Sequence, residues 1–457
     1  MQHELKTIAH ATLIVIEDGK PLLATDPWLV GSVFWRSWWL EKYPTAEEFD
    51  LVRRVRHLYL THSHPDHFHW PTLRQIGPRP ILHARFPRFD TAEFLEKHGY
   101  RPVTLEPWRW YAASESVRIA SVPVPIDDSV LVIDTPQTTI VNLNDSMPRI
   151  SLLRYLRQHL LTPGKPVVAL KSYSPASVAV SMFRQGQRDV MKTKQDYVTT
   201  ARAIAEAIGA TDFVPFASQA FFSRVDSQWA NDFKVVYEDL RRYWDSTSIR
   251  LCQPLISMDL ATREFTSRYG EVKRSLEPEN AVKVEAREAE EADFRVPADF
   301  DARLKKYLDE VFCLRWLLRR GIGWRLTTSH TERFYNSRTR AIEQRVPERC
   351  DMVISLPDKV LDESLQNNVL TDLGITMFIR VDRQVGSRLA YGTFLMFGLH
   401  DYGHFNDVRS FARFVRFYLP HFFPILWRLR DRLTGTSGAM DREPLRLDAA
   451  IPASPHS

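Results

Sequence analysis

Cysteine is scarce in this chain: three in 457 residues, Cys252, Cys313 and Cys350. Odd in number and far apart, they make no disulfide framework, no C-x-x-C pair and no iron–sulfur spacing. That usage fits a reducing, cytoplasmic setting. Long apolar runs are missing as well. No window reaches the ~18 consecutive apolar residues that a spanning helix needs, and Met1 to Lys20 is polar and broken by charge, unlike a secretory signal. Neither sign of charge dominates. Lys and Arg number 61 against 56 Asp and Glu, a net +5. This suits an anionic substrate or a lipid surface but is no nucleic-acid footprint. No internal repeat is present.

What remains is the composition of a globular protein, 44% hydrophobic and 26% charged. At 457 residues the chain exceeds one ordinary core, so two domains are expected. The first part reads as short β-prone runs between turns: Ala11 to Ile16, Leu22 to Thr25, Val117 to Val122, Val130 to Ile133 and Thr138 to Val141. Asp18-Gly19 between the first two is a hairpin signal. Helical periods run over Thr200 to Ile208 and Asn231 to Trp244. Glutamate crowds residues 276–295, which read as an acidic linker or a solvated helix. Residues 296–433 form a second unit with strands expected at Met352 to Leu356 and Ile375 to Ile379. Residues 434–457, rich in Gly, Ser, Pro and Ala, are expected to be disordered.

The chemistry is concentrated in Thr61-His62-Ser63-His64-Pro65-Asp66-His67, which follows the apolar run Leu58-Tyr59-Leu60. Three imidazoles and a carboxylate within six residues at a strand end are costly to assemble unless a cation sits among them. Imidazole suits zinc, iron and related metals, and carboxylates complete such shells. The H-x-H-x-D-H spacing is far more specific than an isolated histidine.

This motif, the upstream Asp26 and the later Asn142-Leu143-Asn144-Asp145 resemble the metallo-β-lactamase superfamily. The resemblance implies an α+β fold in which an αββα sandwich over residues 1–275 carries metals at one edge, followed by a smaller mixed α/β domain. It also implies that His62 and His64 bind a first metal, that Asp66 and His67 bind a second, and that Asp145 bridges the two. A carboxylate at a strand end can span two cations. Two histidines of the common pattern are missing. Where the third ligand of the first site is expected, Pro123 to Ser129 offers an aspartate, Asp128. Where the last histidine is expected, Phe213 to Ser218 has no imidazole. Exchanging nitrogen for oxygen hardens the site and favours iron or manganese over a pair of zinc ions. Asp26-Pro27-Trp28-Leu29, Gly31, Phe34, Trp38-Trp39 and Pro215-Phe216-Ala217 look like the CMP-N-acetylneuraminate hydroxylase branch of that superfamily. Those hydroxylases carry a Rieske iron–sulfur domain, and this chain has no C-x-H pairs to hold one.

The expectation is therefore an enzyme using one or two iron ions to oxidise a small organic or nucleotide-sugar-like substrate, with a ferredoxin or reductase supplying electrons. The alternative is metal-assisted hydrolysis of an ester, amide or phosphodiester, with zinc or manganese in place of iron and Asp66 orienting the attacking water. A non-catalytic, degenerate site is the third reading. Trp28, Trp38 and Trp39 are candidates for the substrate wall, although aromatic clusters serve domain packing equally well. Phe411 to Arg432 and Val311 to Arg325 interleave aromatics with arginine. Such stretches suit peripheral membrane contact, and core-facing helices with solvated arginines account for them at least as well. His400-Asp401-Tyr402-Gly403-His404 reads as a turn rather than a second metal site. His69 matches no ligand position, and His10 reads as a structural or orienting histidine.

Overall fold

The computed structural model describes residues 1–87, 91–125, 127–176, 182–190, 192–246, 248–311, 324–327, 332–336, 339–343, 350, 352–384, 392–422 and 443–447. Two eight-stranded sheets face each other across the core. The first runs from Phe265–Ser267 through the hairpins of the N-terminus to His57–Leu60 and Arg101–Leu105 at its far edge. The second is centred on Arg118–Val124, Asp128–Asp134, Thr139–Asn144 and Val167–Lys171. Alternation along the strands builds the layers. Tyr59, Leu131, Ile133 and Leu170 point between the sheets. Leu58 and Leu60 point instead to an outer layer with Val52, Leu73 and Ile76. Val130, Val132 and Ala169 point to the opposite outer layer with Leu152, Leu156 and Ile204. The order is helix, sheet, sheet, helix, an αββα sandwich.

Local chemistry agrees with this frame. Asp18 and Gly19 both take positive φ, 47° and 75°, as a tight hairpin joining Thr12–Glu17 to Lys20–Thr25 requires. Thr45 and Glu48 close a capping box on Ala46–Arg54, as do Thr193 and Asp196 on Lys194–Ile208. His69 caps Trp70–Ile76, its ring accepting from the backbone of Thr72 at 3.3 Å.

A seven-stranded sheet forms the second unit, and it recruits Met182–Arg184 and Gln187–Arg188 from far upstream: Met182–Arg184 lies parallel to Arg380–Arg383. The acidic segment is a helix, Pro278–Ala292, mostly exposed. It is anchored by Glu291, which takes two bonds from the buried Arg224 at 2.9 and 2.6 Å. The strand expected at Ile375 to Ile379 is instead the end of a 3-10 turn, Leu370–Ile375, and a bend with Met377 at φ 66°, and the strand begins at Arg380. Tertiary anchoring overrides β-propensity there: Ser37 Oγ donates to Thr376 O at 2.5 Å and Trp38 Nε1 to Ile375 O at 3.1 Å. The helical period expected over Asn231 to Trp244 is split into a 3-10 turn ending at Phe233 and a helix, Tyr237–Tyr243. Leu445–Arg446, inside the tail expected to be disordered, pairs with Tyr111–Ala112. Cys252 is a buried free thiol, and Cys350 is buried as well. Among the described residues no helix is long and apolar enough to cross a membrane. Of the two arginine–aromatic stretches, Val408–Phe422 is a helix with Tyr418 buried and Arg409, Arg413 and Arg416 exposed. The remainder of that stretch, and nearly all of Val311 to Arg325, lies outside the described residues.

Candidate metal centre

The strands that feed the site release their chains at one edge of the sandwich. His10 follows His3–Ile8, Asp26 follows Lys20–Thr25, and the histidine turn follows His57–Leu60. Asp145 follows Thr139–Asn144, whose pairing with Val167–Lys171 slips between Asn142 and Asn144. That bulge throws Asp145 out of the ladder. Ala9, Asp26, Asp127, Asn144 and Ala217, all at this edge, have positive φ between 42° and 53°. Left-handed backbone at residues bearing a Cβ is uncommon and clusters at functional sites where the surroundings enforce it. Here the enforcement is visible: Asp26 accepts from the N–H and hydroxyl of Thr61, both at 2.8 Å, and Asn144 Nδ2 donates to the same hydroxyl at 2.6 Å.

Two clusters result, each of two histidines and one carboxylate: His62, His64 and Asp145, and His10, Asp66 and His67. In the first, His62 Nε2 is 2.9 Å from His64 Nδ1 and 3.9 Å from Asp145 Oδ2. In the second, Asp66 Oδ2 is 3.3 Å from His10 Nε2 and 3.2 Å from His67 Nε2. Asp145 spans them, its other oxygen Oδ1 lying 3.4 Å from His67 Nε2. Metal–ligand bonds of ~2.0–2.2 Å place neighbouring ligand atoms about 3 Å apart, close to these separations. His67 Nε2 and Asp145 Oδ1, which face each other between the clusters, are buried without a hydrogen bond of good geometry, a condition a bound cation relieves.

The electrostatics point the same way. Burial disfavours the His67 imidazolium, yet the Asp145 and Asp66 carboxylates outweigh it and hold its pKa well above the usual histidine range. Burial and then the charge on His67 push His62 well below that range. Against the cost of burial, His67 and His62 hold Asp145 far below the carboxylate range. Without metal, a proton on His67 is the cation that balances the cage, and a divalent ion would take its place. Asp26 lies 3.3 Å behind His67 Nδ1, the carboxylate–histidine arrangement that orients metal ligands.

Of the residues singled out in the sequence, His62, His64, Asp66, His67 and Asp145 converge. Asp128 does not join either cluster: its Oδ1 lies 3.5 Å from Nδ1 of His62, on the side of the ring away from His64, and burial followed by the Asp145 charge pushes its pKa well above the usual range. Asp128 therefore stands behind a candidate ligand. His10, read as structural, is a member of the second cluster. Its place is informative, because Ala217 N donates to His10 O at 3.0 Å. His10 thus lies beside Phe213 to Ser218, the stretch in which a histidine is expected and none occurs. Nothing in sequence spacing marks it.

A cavity of about 310 Å³ opens beside both clusters, reached by His10, His64, Asp66 and Asp145. Trp38 lines it; Trp28 and Trp39 do not. Trp28 packs behind the site with its ring 5.4 Å from that of His10, and Trp39 packs against Phe221 and Val284. Adjacent residues of a strand face opposite ways, so Trp38 and Trp39 of Trp38–Leu40 cannot both reach one cavity. Lys171, at the cavity wall, carries no sequence signal of its own. Its ammonium donates to Asn144 O at 3.2 Å and Ser172 Oγ at 2.7 Å, and burial pulls its pKa down to about 8 although Asp145 and Asp128 oppose this.

No family model matches the chain. In sequence it is similar to cytidine monophosphate-N-acetylneuraminic acid hydroxylases: 39% identical over 66 residues to that of Asterias rubens, 14% of this chain and 10% of the relative. To that of Danio rerio it is 33% identical over 99 residues, 21% of this chain and 16% of the relative. The chain thus spans well under a fifth of the length of these relatives. Among solved structures it is similar to CmlA, a diiron β-hydroxylase from Streptomyces venezuelae, with TM-score 0.36, 16% identity, 56% of this chain and 54% of that one. It is also similar to an isothiocyanate hydrolase from Delia radicum gut bacteria, with TM-score 0.38, 14% identity, 58% of this chain and 98% of that one. The sandwich has the αββα layering that the sequence resemblance implies, and over short stretches the sequence is similar to that of CMP-N-acetylneuraminic acid hydroxylases.

Proposed function

We propose that this chain is a non-haem iron oxygenase that hydroxylates a small organic substrate with electrons from a separate ferredoxin or reductase. The observation that carries the proposal is the donor set. Each cluster offers two histidines and one carboxylate, the ligand set of non-haem Fe(II) oxygenases and also of open catalytic zinc sites, and the short stretches of sequence similarity to hydroxylases favour iron. Iron bound there would supply dioxygen activation. The chain's own residues hold the ion, exclude water around it and bind the substrate. Lys171 and Lys192 at the cavity wall suit a carboxylate or phosphate of the substrate, and Trp38, Tyr197 and Ile204 suit an apolar or ring-bearing body. Hydroxylation of one C–H consumes one dioxygen, two electrons and two protons and releases one water. With no iron–sulfur ligand pattern in the sequence, those electrons come from a partner.

The test is metal analysis and oxygen uptake on the purified protein. Stoichiometric iron, with dioxygen consumed when a reduced ferredoxin is added, is the expected result. Zinc filling both clusters, with turnover of aryl phosphodiesters or lactones and no oxygen uptake, would replace this reading by hydrolysis, in which the metals lower the pKa of bound water.

A further inference from the structure

The second unit reaches into the metal centre. Its turn after the helix Gly392–Asp401 carries Tyr402, whose hydroxyl lies 2.8 Å from Nε2 of His64. The opposite ring nitrogen, Nδ1, is the one that faces His62 at 2.9 Å. Tyr402 is pinned on both sides. Before it, Asp401 accepts from Tyr307 OH at 2.5 Å and from Thr371 N at 2.8 Å. After it, His404 Nε2 sits 2.9 Å from Asp127 Oδ2, and Tyr418 OH donates to Asp127 Oδ1 at 2.6 Å. A phenol hydroxyl can donate to or accept from an imidazole nitrogen, and with Nδ1 turned to the cluster as a ligand the proton belongs on Nε2, facing that hydroxyl.

We infer that Tyr402 is a positioning residue for the metal centre: it accepts the Nε2–H of His64 and so keeps the Nδ1 lone pair directed at the His62–His64–Asp145 cluster. The second unit thereby sets the affinity of that cluster and not of the other, whose histidines His10 and His67 are oriented from within the sandwich, His67 by Asp26. The inference rests on the clusters holding metal, as proposed above, and not on the reaction they catalyse.

The test uses the full chain carrying Tyr402→Phe, which keeps the ring and deletes only the hydroxyl. Co(II) is titrated into metal-free protein against a chelator, with visible absorption recorded. The wild type should take two equivalents. In the variant one equivalent should weaken about 10–100-fold, the usual cost of losing an orienting partner, and its absorption bands should change while those of the other equivalent stay. Nitrogen-15 NMR of the metal-free protein should show His64 protonated at Nε2 in the wild type and as a mixture of tautomers in the variant. Tyr418→Phe is the control, since it loosens the Asp127 contact without touching His64, and it should leave both equivalents tight. Two tight equivalents in Tyr402→Phe would overturn the inference while leaving the oxygenase reading intact, and so would equal weakening in Tyr418→Phe, which would make the effect one of general docking. A wild type that binds no cobalt would remove both.

Discussion

Replacing Asp145 by asparagine should weaken metal at both clusters, because each carboxylate oxygen faces a different one. Oδ1 lies 3.4 Å from His67 Nε2 and Oδ2 lies 3.9 Å from His62 Nε2. At an effective dielectric of ~20, a unit pair at such distances is worth about 4–5 kcal/mol, and a dication feels the lost charge at least as strongly. Part is recovered by the amide oxygen, which still ligates. We expect about 100-fold weaker binding at the His62–His64 cluster, which loses its carboxylate, and about 10-fold at the other, which keeps Asp66. The comparison variants separate the clusters: His64→Ala should release one ion and Asp66→Asn the other. Equilibrium dialysis with metal analysis counts the ions. Thermal unfolding with and without metal gives the linked stability, and a 100-fold affinity loss at saturating metal removes about 2.7 kcal/mol of stabilisation, several degrees. Asp145→Asn retaining two ions at wild-type affinity would show that the carboxylate bridges nothing. If His64→Ala and Asp66→Asn released the same ion, the division into two clusters would be wrong.

Two further outcomes concern the frame that holds the site. Arg224, 1% exposed, pairs with Glu291 and Asp226 and lies 4.3 Å over the Phe378 ring. Arg224→Met strands Glu291, although Arg287 Nε still faces it at 2.6 Å. The cost should therefore sit near the low end of the ~3–5 kcal/mol for a broken buried pair, and adding Glu291→Met should restore much of it. Urea unfolding measures both, and a loss under ~1 kcal/mol for the single variant would contradict the anchoring role. Asp372 has its pKa pushed up to about 8 by burial, with the Asp401 and Asp66 charges adding. The folded chain therefore keeps a proton that the unfolded chain gives up above about pH 4. This stability is fully present below that value and is lost as pH rises through about 8, up to ~6 kcal/mol at ~1.4 kcal/mol per unit. Asp372→Asn, neutral throughout, should flatten that decline in metal-free protein, and a wild-type-like slope between pH 5 and 8 would sink the assignment.

What the sequence makes legible follows from locality. The histidine turn is six residues long and its meaning is carried by spacing, so residue order alone places His62, His64, Asp66 and His67. Sheet layers are legible for the same reason, since Leu58, Tyr59 and Leu60 alternate faces within one strand. His10 is not legible, because only the closure of the sandwich brings Ala9–Ala11 beside Ala217. Residue order puts Asp128 in the right neighbourhood, but the direction of its carboxylate depends on a turn with Asp127 at φ 50°. The Ile375 to Ile379 run is apolar enough for a strand, yet Trp38 and Ser37 capture its carbonyls first. A run without alternation does not say which neighbour will claim its backbone.

The same non-locality bears on how the activity should be sought. Ile375 of the second unit lines the cavity, Tyr402 touches His64 and Asp127 is held by His404 and Tyr418. Residues 1–275 alone would keep every member of both clusters, and would lose one cavity wall and the contact that orients His64. They would also lose Arg380–Arg383, the partner of the strand Met182–Arg184, leaving an exposed edge prone to mispairing. Expressed by itself, that fragment should aggregate or bind metal more weakly at the His62–His64 cluster than the whole chain does. Light scattering and cobalt titration would report either outcome. A monodisperse fragment with two tight ions would mean that the second unit is an appended module, and that the metal centre is complete without it.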